Sequence, residues 1–271
     1  MRPLSLAALT VLELSPLEQV QCAAAAGYRH VGLRLVPATP HDPAWDAIGD
    51  TPLVRATRRA LADTGITVLD VEILRLAPGT EVRDFERLLD TAASLGAAYL
   101  LVAGNDPDEA RLTERYAALC GLAAARGLVA CIEPMPWTDV RDVVQAARIV
   151  ERAGADNAGV LVDPIHFDRA GTPIEALAAI APRRRPYLQF CDAVAERPTS
   201  VEELLRQART DRLPPGEGAL DLRALLHAMP TDVALSLEVP LAMPAGTPAP
   251  VRAKRVIEAT RKWLEPAHCG S

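Results

Sequence analysis

Lysine is nearly missing from this chain. Of 29 basic side chains in 271 residues, only Lys254 and Lys262 are lysines. Both fall on the last helix-like segment, so the strand-end lysine that Schiff-base catalysis in a barrel requires is absent. Class I aldolase chemistry is thereby excluded. Cysteine is sparse and odd in number (Cys22, Cys120, Cys131, Cys191 and Cys269), with no Cys-x-x-Cys. These read as reduced, mostly buried residues of a cytoplasmic protein. No apolar run approaches the ~18 residues that span a membrane. The stretch after Met1-Arg2 resembles a signal peptide only until Glu13 interrupts it, so it is read as the first strand. No Gly-x-Gly-x-x-Gly, Walker loop or Gly-x-Ser-x-Gly occurs, which removes support for dinucleotide, P-loop and Ser-His-Asp chemistry. A net charge of -6 without a basic run argues against nucleic acid and anionic membranes as partners.

What is present is a set of short apolar runs with a common ending. Gly159-Val160-Leu161-Val162 ends in Asp163-Pro164, with His166 three residues beyond the aspartate. Val129 to Ile132 ends in Glu133-Pro134, Tyr187-Leu188 in Gln189, and Val233 to Leu237 in Glu238. Such runs are too short for helices and read as buried strands. Side chains alternate with period 2, so Cys131 and Val129 share the face of Glu133. By the same count Leu161 belongs with Asp163, Tyr187 with Gln189 and Ser236 with Glu238. The alternative is that each carboxylate only caps the helix that follows.

Strand-like and helix-like segments alternate along the whole chain. Strands are expected at 3–9, 30–35, 66–74 and 98–103, then ending at 133, 163, 189 and 238. Helices are expected at 16–26, 52–64, 81–95, 108–126, 140–153, 173–181 and 250–264, with a further one at 201–208 in the long loop 193–220. Glycines close several of them, and Ser15 with Pro16 opens the first. Eight β-α units imply a parallel sheet closed into a single (β/α)8 TIM barrel, one domain over 1–271 with a frayed tail from about 265. In such a barrel the C-terminal strand ends converge on one face, where the active site lies. The loops after the seventh and eighth strands lack a glycine-rich phosphate cradle.

Two glutamates, an aspartate and a glutamine amide form an all-oxygen set. Hard divalent cations such as Mg²⁺, Mn²⁺ or Co²⁺ suit it, whereas Zn²⁺ more usually takes His or Cys. Three carboxylates in one dry mouth repel one another unless a cation lies among them. The competing account pairs them with Arg34, Arg75 or Arg212.

In their order along the chain, Glu133, Asp163 with His166, Gln189 and Glu238 resemble the xylose isomerase-like TIM-barrel superfamily. Within it the chain looks like the sugar (phosphate) isomerase/epimerase family, with its hydroxypyruvate isomerase, ketose 3-epimerase, inosose dehydratase and 3-dehydroshikimate dehydratase branches. The resemblance spans nearly the whole chain and is sharpest from Ile132 to Pro240. It implies that Glu133, Asp163, Gln189 and Glu238 hold one divalent metal, and that Glu133 and Glu238 also form the acid/base pair. It implies substrate contacts from His166 and from Arg212, whose segment Arg212-Leu213-Pro214-Pro215-Gly216-Glu217-Gly218 is similar to the family's Arg-x-x-Pro-Gly-x-Gly turn. The third ligand is usually histidine in the epimerases. Gln189, with Asp192 soon after, follows the hydroxypyruvate isomerase branch. The interval from Gln189 to Arg212 is longer than in the epimerases.

The expected activity is isomerisation or epimerisation of a small polyhydroxy ketone through an enediolate. The alternative is dehydration of a cyclic keto-polyol such as 3-dehydroshikimate or inosose, which uses the same ligands and expels a hydroxyl. Arg34 and Glu72 are further substrate-contact candidates, or a rim ion pair. Trp45 and Trp137 either screen the pocket or pack on a second subunit, which leaves a homo-oligomer open. His30 reads as structural, His227 and His268 as solvated, and His41 has no assigned role. An endonuclease IV-like reading needs several zinc ions and a basic groove. Five histidines mostly off the strand ends and the acidic net charge oppose it. A non-catalytic sugar-binding barrel would require loss of the ligands, which are present.

Overall fold

A computed structural model describes residues 2–243 and 246–265. Its eight strands are all parallel: β1 (Leu4–Leu6), β2 (His30–Arg34), β3 (Thr67–Leu76), β4 (Tyr99–Gly104), β5 (Val129–Glu133), β6 (Ala158–Val160), β7 (Tyr187–Phe190) and β8 (Ala234–Leu237). The hydrogen-bonded order runs β6-β5-β4-β3-β2-β1-β8-β7. A parallel bridge between Val162 and Leu188 joins the two ends, so the sheet is a (β/α)8 TIM barrel. The expected tail lies, beyond Glu265, outside the described residues, as does His268.

The helices are α1 (Pro16–Ala26), α2 (Pro52–Thr64), α3 (Glu86–Ser94), α4 (Glu109–Ala124), α5 (Val143–Ala153), α6 (Pro164–Ala170), α7 (Ile174–Ala178), α8 (Val201–Thr210), α9 (Leu222–Ala228) and α10 (Ala249–Leu264). Local chemistry sets their ends. Ser15 caps α1 in a reciprocal pair with Glu18, Pro16 occupies its first turn, and Gly27 at φ 84° closes it in the left-handed region. The helix expected at 173–181 is the shorter α7, and an unexpected helix, α6, precedes it. Pro164 starts α6 immediately after the strand, where a proline costs no hydrogen bond, and Gly171 stops it. His166 therefore sits in the first turn of a helix capped by Asp163. The first strand is shorter than expected, because the chain turns into a 3₁₀ helix at Ala8–Val11.

Two apolar layers hold the barrel. The larger lies between strands and helices and includes Val31, Leu100, Ile132, Tyr116 and Val256. The smaller fills the barrel interior with Leu69, Leu101, Cys131, Leu161 and Tyr187. Cys131, Leu161 and Tyr187 are the residues that the alternation places two positions before Glu133, Asp163 and Gln189. This layer makes the floor beneath those side chains.

Candidate active site

The C-terminal strand ends surround a cavity of about 340 Å³ lined by Arg34, Glu72, Glu133, His166, Arg212 and Glu238, among others. Asp163 and Gln189 do not line it; they touch it through Arg212 and Glu238. Arg212 Nη1 donates to Asp163 Oδ2 at 2.5 Å, and its Nη2 lies 2.8 Å from Glu238 Oε2. Gln189 Nε2 donates to Glu238 Oε1 at 2.9 Å. The pairing of carboxylates with Arg212 that competed with the metal reading is therefore present for Asp163 and Glu238. Capping is also real for Asp163, whose Oδ1 accepts from the Ile165 N–H at 2.9 Å.

Glu133 is left without such a partner. Its Oε1 is buried with no hydrogen bond, as are Gln189 Oε1 and His166 Nδ1. His166 Nε2 stands 3.8 Å from Glu133 Oε1 and 3.9 Å from Asp163 Oδ2. Ligand atoms of Glu133, Asp163 and His166 all lie within 4.8 Å of one another. Buried polar atoms are seldom left unmatched, so this donor set fits a divalent cation. Its composition, two carboxylates and an imidazole beside an amide oxygen, differs from the all-oxygen set by bringing His166 among the prospective ligands. Carboxylate and imidazole together suit Zn²⁺ as well as Mn²⁺ or Co²⁺.

Electrostatics follow from burial. Glu133 is pushed well above the ordinary carboxylate range by burial, then by the negative charges of Glu238 and Asp163. Glu238 rises to about 8, chiefly through burial; Arg212 opposes the rise and Glu72 adds to it. Burial pushes Asp163 up too, but the Arg212 guanidinium overrides it and the carboxyl ends below its usual value. Burial lowers His166 to about 4, so its ring is neutral near pH 7 and free to ligate or to donate. Trp137, which also lines the cavity, meets that ring edge-on at a centroid distance of 4.9 Å.

Arg34 and Glu72 face each other at 3.4 Å. Glu72 lies inside β3, which runs on past the expected end at 74 to Leu76, and it is level with Arg34 in the β2–β3 register. The third member of this pair, Asp42, escaped the sequence reading. It accepts from Arg34 at 3.1 Å, the Ala38 N–H at 3.0 Å and the Thr39 hydroxyl at 2.5 Å. Nothing in the loop sequence separates it from other loop aspartates. His41 and Arg75 also line the cavity, whereas Trp45 does not. His30 bonds Thr67 at the N-terminal strand ends, a structural position as expected.

Asp192 works one layer back. Its Oδ2 accepts the N–H groups of Gly216 and Gly218, each at 3.0 Å, and its Oδ1 accepts those of Leu220 and Ala193. Its backbone pairs with Leu213 in both directions. A single buried carboxylate thus ties down the turn that follows Arg212. Gly218 is required there, since a Cβ would come within 2.4 Å of Asp192 Oδ1 and of the Ala193 carbonyl.

Comparison with known proteins agrees with this architecture. An inosose isomerase from Bacillus velezensis is 27% identical over 158 residues, 55% of this chain and 54% of that protein. The chain thus spans about half the length of the curated relatives it matches. A solved structure described as the IolI protein with a bound zinc atom superposes with a TM-score of 0.78 at 18% identity, covering 97% of this chain and all of that one. The probable 3-DHS dehydratase AsbF from Bacillus anthracis gives 0.73 at 15% identity, over 96% of this chain and 98% of the other. At these identities the two structures speak for the fold. Residues 20–266 match the family model described as xylose isomerase-like TIM barrel, and the chain belongs to that family.

Proposed function

We propose that the chain is a divalent-metal-dependent isomerase or epimerase of a small polyhydroxy ketone, acting as one barrel domain. The observation that carries this reading is the clustering of ligand atoms of Glu133, Asp163 and His166 within 4.8 Å of one another at the cavity, with the buried Glu133 Oε1 left without a hydrogen bond. Glu133, Asp163 and His166 would hold the cation, with Gln189 and Glu238 completing the set once Arg212 turns toward substrate. When bound, the cation would polarise a ketone oxygen, acidify the neighbouring C–H and supply the positive charge that ionises Glu133. The isomerase named among the relatives and the zinc in the similar structure support a reaction and a site of this class.

Glu133 and Glu238 stand at the ends of β5 and β8, on different sides of the mouth. One takes the carbon-bound proton and the other returns one to the opposite face or to the neighbouring carbon. Arg34, held by Glu72 and Asp42, and Arg212 orient substrate oxygens. Trp137 and Met135 limit water. A dehydratase is the second reading, favoured by one observation: burial pushes the Glu238 carboxyl up to about 8, the direction that suits a group handing a proton to a leaving hydroxyl. The likeness to a dehydratase adds only the fold to that reading.

The test is turnover of keto-sugars, hydroxypyruvate, inosose and 3-dehydroshikimate by metal-loaded protein in D₂O. An isomerase or epimerase places deuterium on carbon, and a dehydratase builds a conjugated ultraviolet chromophore. Glu133→Gln and Glu238→Gln should each lose roughly 10²–10⁴-fold in turnover, the worth of general acid–base catalysis. Near-normal turnover in both variants would refute the two-glutamate mechanism.

A further inference from the structure

The charges around the cavity do not all find partners. Arg212 bridges Asp163 and Glu238, and Arg34 bridges Glu72 and Asp42. That leaves Arg75 and Arg209, which also line the cavity. Neither forms an ion pair with a carboxylate among the described residues. Arg75 is half-buried near the end of β3, and its single side-chain hydrogen bond is to the neutral Asn105 amide oxygen at 3.2 Å. Arg209, exposed at the rim, comes from the last turn of α8. The backbone there is anchored, because the neighbouring Ala208 carbonyl accepts from Arg212 Nε at 2.6 Å.

Two arginines that line one space repel each other. Burial lowers the Arg75 guanidinium from its ordinary value, and the charges of Arg209 and Arg34 push it further the same way. Of the cavity acids, Glu133 and Asp42 oppose that shift; Asp42 is already held by Arg34, and a cation at Glu133 would cancel its help. A guanidinium fork matches the paired oxygens of a carboxylate or phosphate. A cavity of about 340 Å³ has room for one small molecule reaching from these arginines to Glu133 and Glu238.

We propose that Arg75 and Arg209 form an anion subsite, so that the substrate is a polyhydroxy ketone carrying a carboxylate or phosphate away from the reacting carbon. This deepens the reading above and rests on it for the ketone, while the anion subsite is measured without turnover. Calorimetric titration of the whole protein, with and without Mn²⁺, compares quinate, its neutral methyl ester and inositol 1-phosphate. One of the anionic probes should bind at least about tenfold more tightly than the ester, as expected for a hydrogen bond to a charged group. The tighter of the two identifies carboxylate or phosphate. Arg75→Gln and Arg209→Gln should each shrink that preference while leaving affinity for the ester unchanged. Arg209→Gln alters an exposed side chain and keeps the test open if Arg75→Gln misfolds. The proposal is overturned if neither anionic probe outbinds the ester, or if both folded variants keep the full preference. Failure of the metal reading looks different: Mn²⁺ does not bind, yet the preference for an anion survives.

Discussion

Asp192→Asn should destabilise the protein without touching the cavity. The carboxylate receives four backbone N–H groups, two on each oxygen. An asparagine offers one oxygen and one NH₂. Whichever way the amide turns, two donors lose their acceptor and face an N–H instead. Each stranded donor costs roughly 1–3 kcal/mol when buried. The Gly216, Gly218 and Leu220 bonds are only partly buried, so the lower half of the range applies, about 2–4 kcal/mol in total. At about 2–4 °C per kcal/mol for a chain of this order, the melting temperature should drop about 4–16 °C. Thermal unfolding followed by circular dichroism reads the loss. Hydrogen exchange locates it, since the amides of Gly216, Gly218 and Leu220 should lose protection first. A melting temperature within about 1 °C of wild type, with those amides still protected, would refute the argument that Asp192 organises the turn after Arg212.

Three further outcomes are expected. Asp163→Asn should lower Mn²⁺ or Zn²⁺ affinity by more than the roughly 10–100-fold typical of outer-shell changes, as measured by equilibrium dialysis; unchanged affinity in a folded variant removes Asp163 from the ligand set. Gln189→His should retain metal, because an imidazole can replace an amide oxygen, and complete loss in the folded variant shows that the Gln189 environment admits only its amide. The buried Asp70 carboxyl, against Tyr187, is raised to about 8 by burial and by Glu72. Its folded state holds a proton that the unfolded chain releases, so stability is greatest below the ordinary carboxylate value and falls as pH rises toward about 8. Asp70→Asn should flatten that decline in denaturation midpoints measured from pH 5 to 8, and an unchanged slope refutes the assignment.

Much of this was legible without coordinates, for a local reason. The alternation of strand and helix, the period of 2 within Val129–Glu133 and the glycines after α1, α2 and α5 are written in neighbouring residues. They sufficed for the barrel, for the level of Glu133, Asp163, Gln189 and Glu238, and for the layer of Cys131, Leu161 and Tyr187 beneath them. Element boundaries were less legible. Pro164 read as a strand stop, yet the same proline opens a helix, and that turn carries His166 beside Glu133 and Asp163.

The pairing of side chains belonged to the tertiary structure alone. Arg212 joins residues 49 positions before it and 26 after it, and no local pattern tells which of several arginines will do so. Asp42 reaches Arg34 only because its loop folds back over β2, and Glu72 meets them through the β2–β3 register. Sequence by itself determined the fold and the residue types that gather at the mouth, because hydrophobic periodicity and turn chemistry act over a few residues. Tertiary structure decided which charges are matched, which buried oxygens are left without a partner and which arginines lack a carboxylate, because those depend on distances between segments far apart in the chain.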